Sequence, residues 1–115
     1  MSVKILHNPR CSKSRQTLEL LKDRGCVPEV IEYLKNPLDR TTLESILAKL
    51  GLSPRDILRK GEKIYQEMEL ANPDLPDEAL ITAMLENPIL IERPIVITDK
   101  AARIGRPPES VLEIL

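Results

Sequence analysis

Cys11 stands in the stretch His7-Asn8-Pro9-Arg10-Cys11-Ser12-Lys13-Ser14-Arg15, between an apolar run and an amphipathic one. A thiol placed where a strand-ending loop meets the start of a helix lies against free backbone N–H groups and the positive end of the helix dipole. Both favour the thiolate. Arg10, Lys13 and Arg15 add positive charge within a few residues. The same N–H groups can cradle a tetrahedral oxyanion, so one position can serve as nucleophile and as anion site. The alternative, a small inert residue buried among apolar neighbours, is the commonest fate of a free cysteine. Charged and hydroxyl residues on both sides of Cys11 disfavour it.

Spacing narrows the chemistry. Cys11-Ser12-Lys13-Ser14 has Ser where a C-x-x-C redox pair needs its second thiol, so no disulfide forms within the motif. Cys26 lies beyond the far end of the expected helix, roughly 20 Å away at about 1.5 Å per residue, outside disulfide reach. It is read as structural or incidental, and an external thiol must resolve the chemistry. A phosphatase-type C-x5-R loop requires Arg at position 17; Thr17 stands there, and Arg15 comes two residues early. With two cysteines and one histidine there is no zinc constellation, and no disulfide scaffold.

The elements that must position Cys11 follow from periodicity. Val3 to Leu6 is a short β-branched, apolar run ending at Asn8-Pro9, a first strand running into a loop. From Ser12, the spacing of Thr17, Leu18, Leu20 and Leu21 predicts an amphipathic helix stopped at Gly25. Glu29 to Leu34 suits a second strand, parallel to the first with a right-handed crossover. From about 39 to 87 the pattern is nearly all helical, with stripes at Leu43, Ile46, Leu47 and Leu50, then Ile57 and Leu58, then Leu80, Ile81, Met84 and Leu85. These stripes are read as core rather than as a lid or docking face. Ile95 to Thr98 and Ala101 to Ile104 suit a hairpin turning at Asp99-Lys100, followed by a last short helix from Pro108 to Leu115. A βαβ half, a helical insertion at about 39–87 and a ββα half make one α/β domain over 1–115. Its expected form is a thioredoxin-like fold, a small mixed sheet flanked by helices.

The totals agree. A chain of 115 residues that is 42% hydrophobic supports one modest core. Seventeen basic and 18 acidic residues leave a formal charge of -1, so there is no global field to attract nucleic acid or a membrane surface, and anion selectivity must be local. With no Trp, no Phe and only Tyr33 and Tyr65, the stacking platforms of single-stranded nucleic-acid binders are missing. The N-terminal apolar stretch is too short for a signal peptide or a membrane span, so the expected compartment is the reducing cytoplasm.

Four segments together carry a resemblance: the Cys11 loop, Leu58-Arg59-Lys60, Glu92-Arg93-Pro94-Ile95-Val96, and Arg103-Ile104-Gly105-Arg106-Pro107. Over essentially the whole chain, their order and spacing resemble the glutaredoxin-linked arsenate reductase family, in its shorter branch. Relatives tied to arsenic resistance run longer at the C-terminus and carry smaller, less basic residues around the cysteine than Arg10, Ser12 and Lys13. The resemblance implies that Cys11 is the nucleophile and that Arg59, Arg93 and Arg106 hold the arsenate. Guanidinium groups suit that task, since they bind tetrahedral oxyanions through paired donors and stay charged. It also implies a cis peptide before Pro94, a thiolate-tuning role for His7 beside the plainer one of a buried hydrogen-bonding residue, and supporting roles for Ser14 and Arg15. The Ser14 hydroxyl would donate to the Cys11 sulfur, and Arg15 would pair with an acid or with the oxyanion.

The implied activity is reduction of arsenate to arsenite. Cys11 thiolate attacks arsenic, glutathione adds as co-substrate, and glutaredoxin reduces the mixed species. No metal, flavin or nicotinamide needs a site on the chain, in keeping with the absence of any G-x-G-x-x-G. Two other readings stay open. One is a monothiol glutathione-linked oxidoreductase whose arginines bind glutathione carboxylates. The other is a regulatory binding module, because the resemblance extends to a regulator that docks on RNA polymerase; such relatives carry C-x-x-C, and Ser14 argues against that switch.

Overall fold

A computed structural model describes residues 2–115. The chain divides into two compact units, one formed by the chain up to Asn36 together with Arg93–Leu115, the other by Pro37–Glu92.

The first unit is built on four short strands. β1 (Lys4–Leu6) leads through the Cys11 loop into helix α1 (Ser12–Asp23), and β2 (Glu29–Ile31) follows. After the second unit come β3 (Ile95–Ile97), β4 (Ala102–Ile104) and a 3-10 helix, Pro108–Ile114. The sheet order is β2-β1-β3-β4, with β1 parallel to β2 and antiparallel to β3, and β3 antiparallel to β4. This is the small mixed sheet with flanking helices expected of the thioredoxin-like fold.

Alternation sorts the side chains. Ile5 pairs with Val96, and both are fully buried with Leu21 of α1 and Val111 of the last helix. Val3, Leu18, Leu20, Cys26 and Ile114 pack around that cluster. Each such side chain contributes about 1.5–3 kcal/mol when removed from water. Cys26 is therefore part of the apolar packing beyond α1. Gly25 ends the helix region at φ 76°, a left-handed conformation that glycine adopts without a Cβ penalty.

Several boundaries differ from expectation. β2 stops at Ile31, not Leu34, because the Glu32 carbonyl accepts from both Lys35 and Asn36 N–H and folds the chain into a turn that buries Tyr33 completely. The hairpin turns at Asp99-Lys100, with Thr98 N–H donating to the Ala101 carbonyl at 2.8 Å. The last short helix stands where expected, at Pro108–Ile114, and is of the 3-10 kind.

The second unit holds α2 (Arg40–Leu50), α3 (Lys63–Glu67), α4 (Asp77–Glu86) and two 3-10 turns, Pro54–Ile57 and Pro88–Leu90. Asp39 caps α2 by accepting Thr42 N–H at 2.7 Å, and Gly51 closes it in the left-handed region. α4 packs on α2 and on both 3-10 turns through Leu43, Ile57, Leu80, Met84 and Leu90, all fully buried. The unit runs from Pro37 to Glu92, where a nearly all-helical stretch is expected at about 39–87, and part of it is extended. Leu58, read as part of a helical stripe, sits in an extended bridge opposite Ile91, flanked by hydrogen bonds from Arg59 N–H to Leu90 O and from Glu92 N–H to Ile57 O. Among the described residues no helix is long and apolar enough to cross a membrane.

One close approach ties the strands to α1. A Cβ on Gly105 would lie 2.6 Å from Thr17 Oγ1 and 2.8 Å from Pro94 Cγ, and Thr17 is fully buried with its hydroxyl donating to the Lys13 carbonyl at 2.8 Å. Gly105→Ala should therefore cost about 1–3 kcal/mol of overpacking, read as a lower urea midpoint at unchanged slope. An unchanged midpoint would show that the contact yields without cost.

Candidate active site

The Cys11 loop is shaped by Asn8. Its side-chain oxygen accepts Arg10 N–H at 3.0 Å and its carbonyl accepts Cys11 N–H at 3.0 Å, an Asx-type turn that needs no neighbouring element. Cys11 itself occupies the N-cap of α1 with extended backbone angles, φ -92° and ψ 122°. The backbone N–H groups of Ser14 and Lys13 in the first turn favour the charged form of its sulfur, although the side chain makes no capping hydrogen bond.

Two arginines reach the same sulfur from the other end of the unit. Arg106 Nη2 lies 3.5 Å from Cys11 Sγ, while its Nε donates to the Arg93 carbonyl at 2.8 Å. Arg93 is buried, 8% exposed, and its guanidinium also hydrogen-bonds the sulfur. The Arg93-Pro94 peptide is cis, as the resemblance implied; Arg106-Pro107 is cis as well, which the sequence reading did not anticipate. Gly105 N–H donates to the Pro94 carbonyl at 2.9 Å, holding the two arginine-bearing segments side by side.

Burial pushes the Cys11 thiol up, but the Ser14 and Lys13 N–H groups, the Arg106 charge and the Arg93 hydrogen bond outweigh it, so the net shift is downward. The site thus favours an anion at the sulfur twice over, by dipole and by guanidinium.

Behind the loop lies a second layer. Ser14 is fully buried; its hydroxyl accepts Asn8 N–H at 3.0 Å and shares a hydrogen bond with His7 Nδ1 at 2.6 Å. His7 is driven below its ordinary pKa by burial, with Arg15 and Lys22 reinforcing and Glu32 opposing, so the imidazole is neutral at pH 7. Two expectations change here. The Ser14 hydroxyl is engaged with His7 and Asn8, and it is the Ser14 backbone N–H that lowers the thiol's pKa. Arg15 Nη1 donates to the Pro9 carbonyl at 2.9 Å rather than to an acid, bracing the loop from the helix side.

Cys11, Arg93 and Arg106 are therefore together, with His7, Ser14, Arg15 and Pro94 in the same unit. Arg59 belongs to the second unit, where Glu92 Oε1 accepts from Nη1 at 2.6 Å and Glu62 Oε2 from Nε at 3.2 Å. Burial lowers its pKa, but the two carboxylates overcome this and raise it. Asn8 and Gly105 had been quoted in motifs without a role. The signal for Asn8 was Asn-Pro at a strand end; nothing in the sequence points to the Thr17 contact of Gly105. Among the described residues no group of three or more His, Cys, Asp or Glu side chains could hold a metal ion.

Alkylation by iodoacetamide as a function of pH should give a midpoint below the ordinary thiol range, and Arg106→Ala should move it upward. A midpoint that stays in place would remove Arg106 from the thiolate's support. The linked stability has a definite sign. The native pKa is depressed, so the advantage of the native chain over Cys11→Ser is present above the unfolded thiol's pKa. It is lost as pH falls through the native one.

Comparison with known proteins places this geometry. The ArsC family model matches residues 6–114. An uncharacterised Escherichia coli K12 protein called YfgD is 57% identical, over 98% of this chain and 96% of its own length. An arsenate reductase of Neisseria meningitidis serogroup B is 46% identical, over 98% of this chain and 97% of its own. Among solved structures, an arsenate reductase from Vibrio cholerae superposes with a TM-score of 0.97 at 51% identity, covering 100% of this chain and 98% of that one. With a family model spanning nearly all of it and relatives of this identity along its full length, the chain belongs to the ArsC family.

Proposed function

We propose that the chain is an arsenate reductase, with Cys11 as nucleophile and glutathione and glutaredoxin as the source of electrons. The observation that carries this reading is the convergence of Arg93 and Arg106 on the Cys11 sulfur, with Arg106 Nη2 at 3.5 Å. A thiol so surrounded gives up its proton more readily than an isolated one. The guanidinium donors beside it suit the tetrahedral oxyanion it would attack.

In this mechanism Cys11 Sγ forms a bond to arsenic(V) and one arsenate oxygen leaves as water, its protons drawn from solvent. Glutathione adds to arsenic through its thiol. A glutaredoxin thiol then attacks the glutathione sulfur, two electrons pass to arsenic, and arsenite leaves from Cys11. The sum is arsenate plus two thiols giving arsenite, one disulfide and water. Arg93 and Arg106 hold the oxyanion and neutralise charge as the sulfur attacks. His7, Ser14 and Arg15 act through the loop, keeping Cys11 at the helix start. No cofactor is bound in this scheme, and a pool of reduced thiols requires a reducing compartment, which we take to be the cytoplasm.

The test is arsenate-dependent loss of NADPH in a mixture with glutathione, glutaredoxin and glutathione reductase. Cys11→Ser should abolish the signal, and Arg93→Ala or Arg106→Ala should lower kcat/KM about 10²- to 10³-fold, the usual cost of removing one donor to a developing anion. Arg59 is judged separately: if it also holds arsenate, Arg59→Ala raises KM while leaving the Cys11 alkylation midpoint in place. An inactive native chain with a depressed thiol pKa would overturn the proposal and favour a glutathione-linked thiol reductase.

A further inference from the structure

We infer that the open groove along α1 is the face on which the protein dithiol that reduces Cys11 docks, and that it selects a segment bearing basic side chains. The inference rests on the thiol chemistry proposed above and names the surface that chemistry requires. The groove has a volume of about 780 Å³. It begins at Pro9 and Ser12, on either side of Cys11 in the chain, and follows α1 as far as Asp23, with Pro108 and Glu109 across from the helix. A molecule seated there lies against the loop that presents Cys11.

The composition of the groove selects its occupant. Its floor is apolar, with Pro108 buried and Leu18 and Leu20 half-buried. Its rim carries three exposed carboxylates, Glu19, Asp23 and Glu109, against one guanidinium, Arg15. Arg15 is already turned to the Pro9 carbonyl, and Glu19 has only a long, exposed ion pair with Lys22 at 3.9 Å. Such pairs contribute little, so the rim stays negative toward a visitor. Independently, His7 lines the same groove while only 7% exposed. Its Nδ1 is held by Ser14.

Glutathione does not fit this description. It is anionic overall, and α1 alone extends for about 18 Å at 1.5 Å per residue, longer than its one cysteine needs. A folded dithiol protein with lysine or arginine beside its thiols does fit, through the small, charge-steered contact typical of redox partners.

The experiment leaves arsenate out, so its failure is separable from failure of the activity. Cys26→Ser protein is loaded with glutathione as the Cys11 mixed disulfide, then reduced either by glutaredoxin or by dithiothreitol. In both cases one S–S bond breaks and another forms in the dithiol, whose two hydrogens end on Cys11 and on glutathione. Reversing Glu19, Asp23 and Glu109 together to Lys should slow glutaredoxin about tenfold at low salt and remove its salt dependence, as expected where charge steers encounter. Dithiothreitol should be unaffected. Glu109→Lys alone, outside α1, should give a smaller loss with the same selectivity, which guards against a helix that fails to form in the triple variant. Equal losses with both reagents, or none with either, would overturn the docking face. So would a native adduct that glutaredoxin reduces no faster than free glutathione does.

Discussion

The structure depends on a sulfur standing where a helix normally has a capping oxygen. Cys11 occupies the N-cap of α1 without a capping hydrogen bond, and the Lys13 and Ser14 N–H groups lower the pKa of its thiol. A neutral thiol is a weak acceptor in that position, whereas a thiolate is favoured by both donors and by the helix dipole. The start of the helix and the charge favoured at the sulfur therefore fall on one residue. The Asn8 turn, the Ser14 hydroxyl and the Arg15 brace all serve to keep it there.

The second constraint is closeness. Arg106 and Arg93 act on the sulfur because two chain segments, 93–94 and 105–106, run side by side against the start of α1. That approach is set by the absence of a side chain at Gly105, where Thr17 and Pro94 fill the space. Burial of Arg93 would be costly for an isolated cation; beside the Cys11 sulfur it favours negative charge there. His7 shows the opposite logic. Removed from water, with burial prevailing over the Glu32 carboxylate and Arg15 and Lys22 reinforcing it, it has a lowered pKa and works as a hydrogen-bonding strut.

Much of the chemistry was legible from neighbours in the chain. The strand, loop and helix around Cys11 follow from short-range rules, and so do the missing second thiol and the misplaced arginine that exclude a C-x-x-C couple and a phosphatase loop. Where the reading failed, the cause was competition for a partner. Ser14 is expected at the sulfur through its hydroxyl, but the buried His7 imidazole seven residues earlier takes up that hydroxyl, and the Ser14 backbone N–H is what favours the thiolate. Leu58 has the spacing of a helical stripe, yet its backbone pairs with Ile91, more than thirty positions later.

By itself, the sequence marked Cys11 as the candidate nucleophile and determined the local geometry that lowers its pKa and the βαβ and hairpin halves that carry it, because each depends on residues a few positions apart. It also held the arginines, and resemblance marked which ones to watch. Only the tertiary structure decided which guanidinium groups meet the sulfur, since Arg106 and Cys11 are 95 residues apart and no periodicity encodes their contact. It likewise decided that Arg59 is held between Glu62 and Glu92 within its own unit, because charge pairing across a bridge depends on the register of two segments and not on the type of any one residue.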